Sequence, residues 1–275
     1  MGPRIFGIPA LRALVVAIIR RGPSGWMHVG RWDLDPPSYQ PGAWLGGTIY
    51  PERCDLSPDG RWFAYFALKP SARWELGTTY IAISRLPWLT ALAGWATNGT
   101  WTRGVMFVED RSVWEVGEPD LGDLGPVRET FGMRLSRADS FAIERRRGWS
   151  ETADTPPRAP DDAWDARRGD AIVMEKARPG SEGSTRLTVR GAYAGGRELH
   201  GIRTDIRYEL HADGRAVHLE DVQWADWDAG GRLLVATLDG RLQIRDVAGE
   251  AVTWEADEAA HIPDPAPPPA EAKLW

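Results

Sequence analysis

Chemistry in this chain would have to come from a short set of residues. His211 and His218 flank an Asp213-Gly214 turn, where adjacent strands would bring the two imidazoles toward each other. A third metal ligand could come from Glu220 or Asp221, but zinc takes three or four ligands, and no tight His-x-x-x-His spacing reinforces the pair. They read as ordinary strand histidines, and no metal is expected. Glu220, Asp221, Asp226 and Asp228 form an acidic group that could serve as a carboxylate pair across a sugar. Asp226 and Asp228 alternate along a strand that enters a turn, and solvated turn carboxylates are the better reading. Cys54 is the one cysteine, with no histidine beside it in sequence. There is no Gly-x-Ser-x-Gly elbow and no glycine-rich loop ending in Lys-Ser or Lys-Thr. No catalytic residue and no cofactor is expected.

Binding chemistry is better represented. The chain holds 15 tryptophans, and an indole supplies a large apolar area with one hydrogen-bond donor, which suits both interface anchors and sugar stacking. Most are expected to fill wedges between packed sheets. Trp74, Trp95 and Trp101 fall in apparent loops and are the expected contact residues for a partner, together with the basic run Arg145, Arg146 and Arg147, which could dock an acidic group.

The elements that would position these residues read as β-structure. Val15 to Ile19 is a β-branched run that leads into the Arg21-Gly-Pro-Ser-Gly25 turn, and Trp26 to Asp33 reads as its partner strand. Ser57-Pro-Asp-Gly60 places proline, aspartate and glycine where a tight turn wants them, before the apolar strand Arg61 to Leu68. Thr78 to Ser84 is a further strand, and Trp88 to Trp95 a fourth strand or a short helix. Gln223 to Asp228, Arg232 to Leu238, Arg241 to Asp246 and Ala251 to Glu255 supply four strands separated by glycine turns.

Turn glycines recur: Gly60 and Gly104 lie 44 residues apart, Gly169 and Gly214 lie 45 apart, and Gly60 to Gly231 is 171. Read as four steps of about 43, that spacing suits propeller blades of ~40–45 residues. The expected fold is all-β, a small irregular propeller of about five blades over 1–262. The N-terminal hairpin helps close the ring, and 263–275 forms a flexible Pro/Ala-rich tail.

At Cys54 to Leu68, with its Ser-Pro-Asp-Gly turn, the sequence resembles the blades of TolB-like and WD-repeat propellers. A wider resemblance runs through Arg20 to Trp26, Trp44 to Tyr50, Cys54 to Ala67 and Tyr80 to Trp88, with Trp224 to Asp246. It points to a family of uncharacterised bacterial proteins. The resemblance implies the fold and carries no activity.

Composition sets the remaining bounds. Apolar residues make up 43% and charged residues 26% of 275, with a net charge of −6 and a pI near 5.5, ordinary for a soluble globular chain and unlike a polyanion binder. No nucleic acid is expected. The apolar run Ile5 to Ile19 is interrupted by Arg12 and followed, not preceded, by Arg20-Arg21, the wrong charge order for a signal peptide. It is also too short to span a bilayer. A cytoplasmic protein off the membrane is expected. Its expected role is a non-enzymatic interaction module that binds a protein partner. The alternative is a carbohydrate-binding or glycoside-active propeller that uses tryptophan stacking and paired carboxylates.

Overall fold

The computed structural model describes residues 3–69, 77–97, 99–101, 105–109, 112–116, 134–136, 142–153, 170–193, 203–247 and 251–274. They form five sheets in chain order, the blades of an irregular propeller. Blade 1 is the antiparallel meander β1 (Arg4–Pro9), β2 (Val15–Arg21), β3 (Trp26–Leu34) and β4 (Pro37–Gly46). Blade 2 joins β5 (Thr48–Ile49), β7 (Trp62–Leu68), β8 (Thr79–Arg85) and β9 (Ala93–Ala96), with β6 (Asp55–Leu56) also on β7.

Blade 3 holds β10 (Val105–Glu109), β11 (Ser112–Val116) and β12 (Arg134–Ser136), the last pairing in parallel. A short helix, α1 (Ala142–Arg146), precedes blade 4. That blade contains β13 (Ser150–Glu151), β14 (Asp170–Ala177), β15 (Arg186–Tyr193), β16 (Arg203–Ala212) and β17 (Arg215–His218). Blade 5 is β18 (Val222–Trp227), β19 (Leu233–Thr237), β20 (Arg241–Arg245) and β21 (Val252–Asp257), the four strands expected there.

Strand alternation explains why the central strands read as unbroken apolar runs. On β2, Val15, Ala17 and Ile19 enter a core shared with blade 2, while Val16 and Ile18 enter one shared with blade 5. On β7, Phe63 and Tyr65 face blade 1, whereas Trp62, Ala64 and Phe66 join Val105 and Phe107 of blade 3. Successive side chains point to opposite faces, so a sheet covered on both sides must be apolar at every position. Each fully buried branched or aromatic side chain then contributes roughly 1.5–3 kcal/mol.

The tight turns share one device. Ser57 Oγ accepts the Trp62 N–H at 2.8 Å and the Arg61 N–H at 3.2 Å. Asp228 Oδ1 accepts the Arg232 N–H at 2.8 Å. Thr237 Oγ1 accepts the Arg241 N–H at 2.9 Å. Gly60 (φ 74°) and Gly231 (φ 78°) occupy matching places in such turns, in the left-handed region that favours glycine. Gly214 lies instead in the β16–β17 hairpin. Gly60 to Gly231 is therefore three blade steps and not four.

Ring closure needs no shared strand. β1 lies beside β18, where the Gln223 amide accepts the Ile5 N–H at 2.9 Å and donates to Pro3 O at 2.8 Å. Beyond β21 the chain locks onto blade 1 through a buried cluster. Gly42 N–H donates to His28 Nε2 at 3.3 Å, so His28 Nδ1 carries the proton and donates to Glu258 Oε1 at 2.6 Å. Arg20 donates to His261 O at 2.6 Å, and its guanidinium lies 5.5 Å from the Trp44 ring centre. Burial and then the Glu258 charge raise the Tyr39 hydroxyl pKa above its ordinary value. The segment ends in the 3-10 turn Ala270–Lys273 beside β8, with Ala272 fully buried.

A methyl group added at Gly7 would sit 2.5 Å from the Trp224 indole, itself 3% exposed and held between blades 1 and 5. Gly7→Ala is expected to cost about 1–3 kcal/mol through overpacking, read as a lower denaturation midpoint with an unchanged slope.

Candidate functional site

The innermost strands converge on a polar hub, and α1 reaches into it. Arg147, just past the helix, donates one guanidinium nitrogen to Pro9 O on blade 1 and another to Asp55 Oδ1 on blade 2. Asp55 is 2% exposed and also accepts the Leu56 N–H at 2.9 Å and the Phe107 N–H of blade 3 at 2.7 Å. One carboxylate thus bonds to blade 2, blade 3 and the helix.

A second buried carboxylate works across the ring. Asp226 Oδ1 accepts Lys176 Nζ of blade 4 at 2.6 Å and the Trp227 N–H at 2.7 Å. Its Oδ2 lies 3.4 Å from the Trp149 indole nitrogen. Between these networks lies a cavity of about 40 Å³, walled in part by Glu52, Glu144, Arg147, Asp226, Trp149 and Trp224.

The acidic group of the sequence is therefore split. Asp226 and Asp228 are 3% and 2% exposed, not solvated as their turn position suggested. Asp226 serves the hub. Asp228 closes its own turn and holds Arg232 Nε at 2.7 Å. The Asp221 carboxyl pKa is lowered, first by its hydrogen bond from Arg245 and against the opposing effect of burial.

His211 and His218 do approach a common acid, but it is Glu209 on the same hairpin, at 3.5 and 3.7 Å. Glu209 and His218 are direct cross-strand partners, a pairing that the Asp213-Gly214 turn dictates once the hairpin register is drawn. Among the described residues no three His, Cys, Asp or Glu side chains are gathered to hold a metal ion. Cys54 is buried, its thiol pKa is pushed up by desolvation, and its sulfur donates to Tyr50 O at 3.1 Å.

The expected partner contacts scatter. Trp74 lies outside the described residues. Trp101 ends the 3-10 turn Gly99–Trp101, and its side chain is not described. Trp95 is not in an exposed loop: it sits on β9 opposite Ile81, 2% exposed, in the core between blades 2 and 3. Of the basic run, Arg145 is exposed and Arg146 half-buried, its pKa lowered chiefly by desolvation. Arg147 turns inward, its guanidinium bonded to Pro9 O and Asp55 Oδ1 inside the hub. No indole with a described side-chain exposure is exposed.

No protein-family model matches the chain, and no curated protein matches it. Solved structures similar to it include an uncharacterized protein of Listeria monocytogenes, at 11% identity over 93% of this chain and 84% of that one, with a TM-score of 0.31. The β-propeller domain of the Trilobed protease from Pyrococcus furiosus matches at 13% identity over 92% and 71%, TM-score 0.29. The periplasmic gluconolactonase of Pseudomonas aeruginosa matches at 12% over 88% and 81%, TM-score 0.35. The sheet order and register define the fold here, and no activity passes from these proteins to this chain. Among the described residues no helix is long and apolar enough to cross a membrane.

Two outcomes are expected. Asp55→Ala strands Arg147 and the Phe107 N–H in a buried site and should cost about 3–5 kcal/mol. A double-mutant cycle with Arg147→Met should recover part of that loss, since removing both charges leaves less unpaired. Cys54 should resist a thiol reagent at pH 8 in the native protein and label fully in denaturant, because the reactive species is the thiolate.

Proposed function

We propose that the protein is a non-enzymatic propeller that binds a protein partner through its outer surface, built on the TolB-like and WD-repeat-like plan of the Ser57-Pro-Asp-Gly60 blade. The observation that carries this reading is the hub. Its cavity of about 40 Å³ is well below the ~300–1,000 Å³ of small-molecule pockets. The charged groups Asp55, Arg147, Asp226 and Lys176 are committed to bonds between blades. Recognition then falls to blade edges and turns, where Val217 on β17, Leu238 and Val252 on β21 are exposed at 43%, 55% and 46%. Single exposed apolar side chains are ordinary on a protein surface, but edges and loops held by a rigid frame are where binding residues concentrate.

The carbohydrate reading asks for a free pair of carboxylates beside an exposed indole. Asp226 and Asp228 are each engaged, and the least buried of the described indoles, Trp26, Trp44, Trp88 and Trp254, are half-buried.

The test is chemical cross-linking of the tagged full chain at native expression level, followed by mass spectrometry and size-exclusion chromatography. A stoichiometric protein partner cross-linked at blade edges is expected. A chain that elutes alone, with tryptophan fluorescence that titrates with a sugar, would overturn the proposal.

A further inference from the structure

A blade with a neighbour on each side has two faces to cover. Among the described residues four apolar cores join blades 2 and 3, 1 and 2, 5 and 1, and 4 and 5. None joins blades 3 and 4. Blade 4 buries Ile172, Met174, Leu187, Val189, Tyr208 and Leu210 against blade 5. Its other face, set by alternation along the same strands, is polar.

Cross-strand register orders that face in rows. Glu175, Thr188, Glu209 and His218 form one row, and Arg186 faces His211 in the next. Charge is balanced in both rows: Arg186 lies 3.3 Å from Glu175, and Glu209 lies between the two histidines. The row on the other side is not balanced. Arg190 stands directly opposite Arg207, both exposed, and neither has a hydrogen-bond or ion-pair partner among the described residues. Directly opposed positions bring Cβ atoms to ~4.5–5.5 Å, and like charges there destabilise a sheet.

We propose that Arg190 and Arg207 form a docking point for an acidic segment of the protein partner, on the blade 4 face that turns away from blade 5. This rests on the partner-binding reading above. Two guanidinium forks side by side match carboxylates, whose geometry they meet in paired hydrogen bonds. Arg190 and Arg207 are exposed, and the backbone N–H groups beside them are held in the β14–β15–β16 ladder. A small free anion therefore finds only two solvated side chains, weakly attractive under physiological screening. An acidic peptide brings neighbouring carboxylates to both guanidiniums at once, so the second contact forms at high effective concentration. The like-charge pair costs stability in the isolated chain, and the ligand relieves it.

The probe is a fluorescein-labelled octaglutamate peptide, with octalysine as control, followed by anisotropy on the full chain. Octaglutamate binding that weakens steeply with salt is expected. Arg190→Gln combined with Arg207→Gln should weaken it at least about tenfold. The same double variant should raise the melting temperature by about 1–3 °C, because the repulsion is gone. A merely structural arginine pair would lower it. Arg145→Gln should leave binding unchanged.

No octaglutamate binding, equal binding by the double variant, or a lowered melting temperature would overturn the docking point. So would full displacement by millimolar inorganic phosphate, which would mark a simple anion site. The outcomes separate from those of the wider reading. A cross-linked partner that the double variant still captures removes only this site. Absence of any partner in the cross-linking removes the reading beneath it.

Discussion

The Asp55 carboxylate carries the structure's central constraint. A buried acid needs hydrogen-bond donors from every direction, because an unsatisfied charge in the interior costs more than most packing contacts return. Asp55 finds them in three places: its own strand, the first strand of blade 3, and the arginine that follows α1. Arg147 then extends the chain of bonds to Pro9 on blade 1. Asp226 does the corresponding work between blades 4 and 5 through Lys176. Apolar cores hold neighbouring blades together pairwise, without direction. The two carboxylates add direction through hydrogen bonds between blades.

Division of labour between the inside and the outside follows. Residues with the most reactive chemistry are those the hub consumes: two aspartates, a lysine, an arginine and a shielded thiol. On the proposal above, recognition is left to the edge strands, the turns and the polar face of blade 4.

Much of the frame was legible in the sequence. The Cys54 to Leu68 unit, the N-terminal hairpin and all four strands of blade 5 could be read because β-branched runs and glycine turns both marked them. The alternation of Trp62, Phe63, Tyr65 and Phe66 between two neighbouring blades also followed from period two. The repeat length did not: Gly60 and Gly231 hold matching places but are three blade steps apart, while Gly214 belongs to a different hairpin and counts as a step that is not there. Trp95 was misplaced because Ala-Gly-Trp-Ala carries no β-branched residue, and its strand is specified by pairing with Ile81 across β8. Arg147 and Asp226 escaped for a different reason. Their partners lie 92 and 50 residues away in sequence, and no local pattern announces a contact of that range.

The order of the cores has a bearing on how the chain comes into being. Among the described residues the apolar cores link the blades in the order 3, 2, 1, 5, 4, so blade 1 depends on a neighbour made much later in the chain. Its face bearing Val16, Ile18 and Trp32 has no cover until β18 to β20 are made, some two hundred residues later. At about 5–20 residues per second, that sticky surface waits for roughly ten to forty seconds. The two halves of that core are joined only late in synthesis.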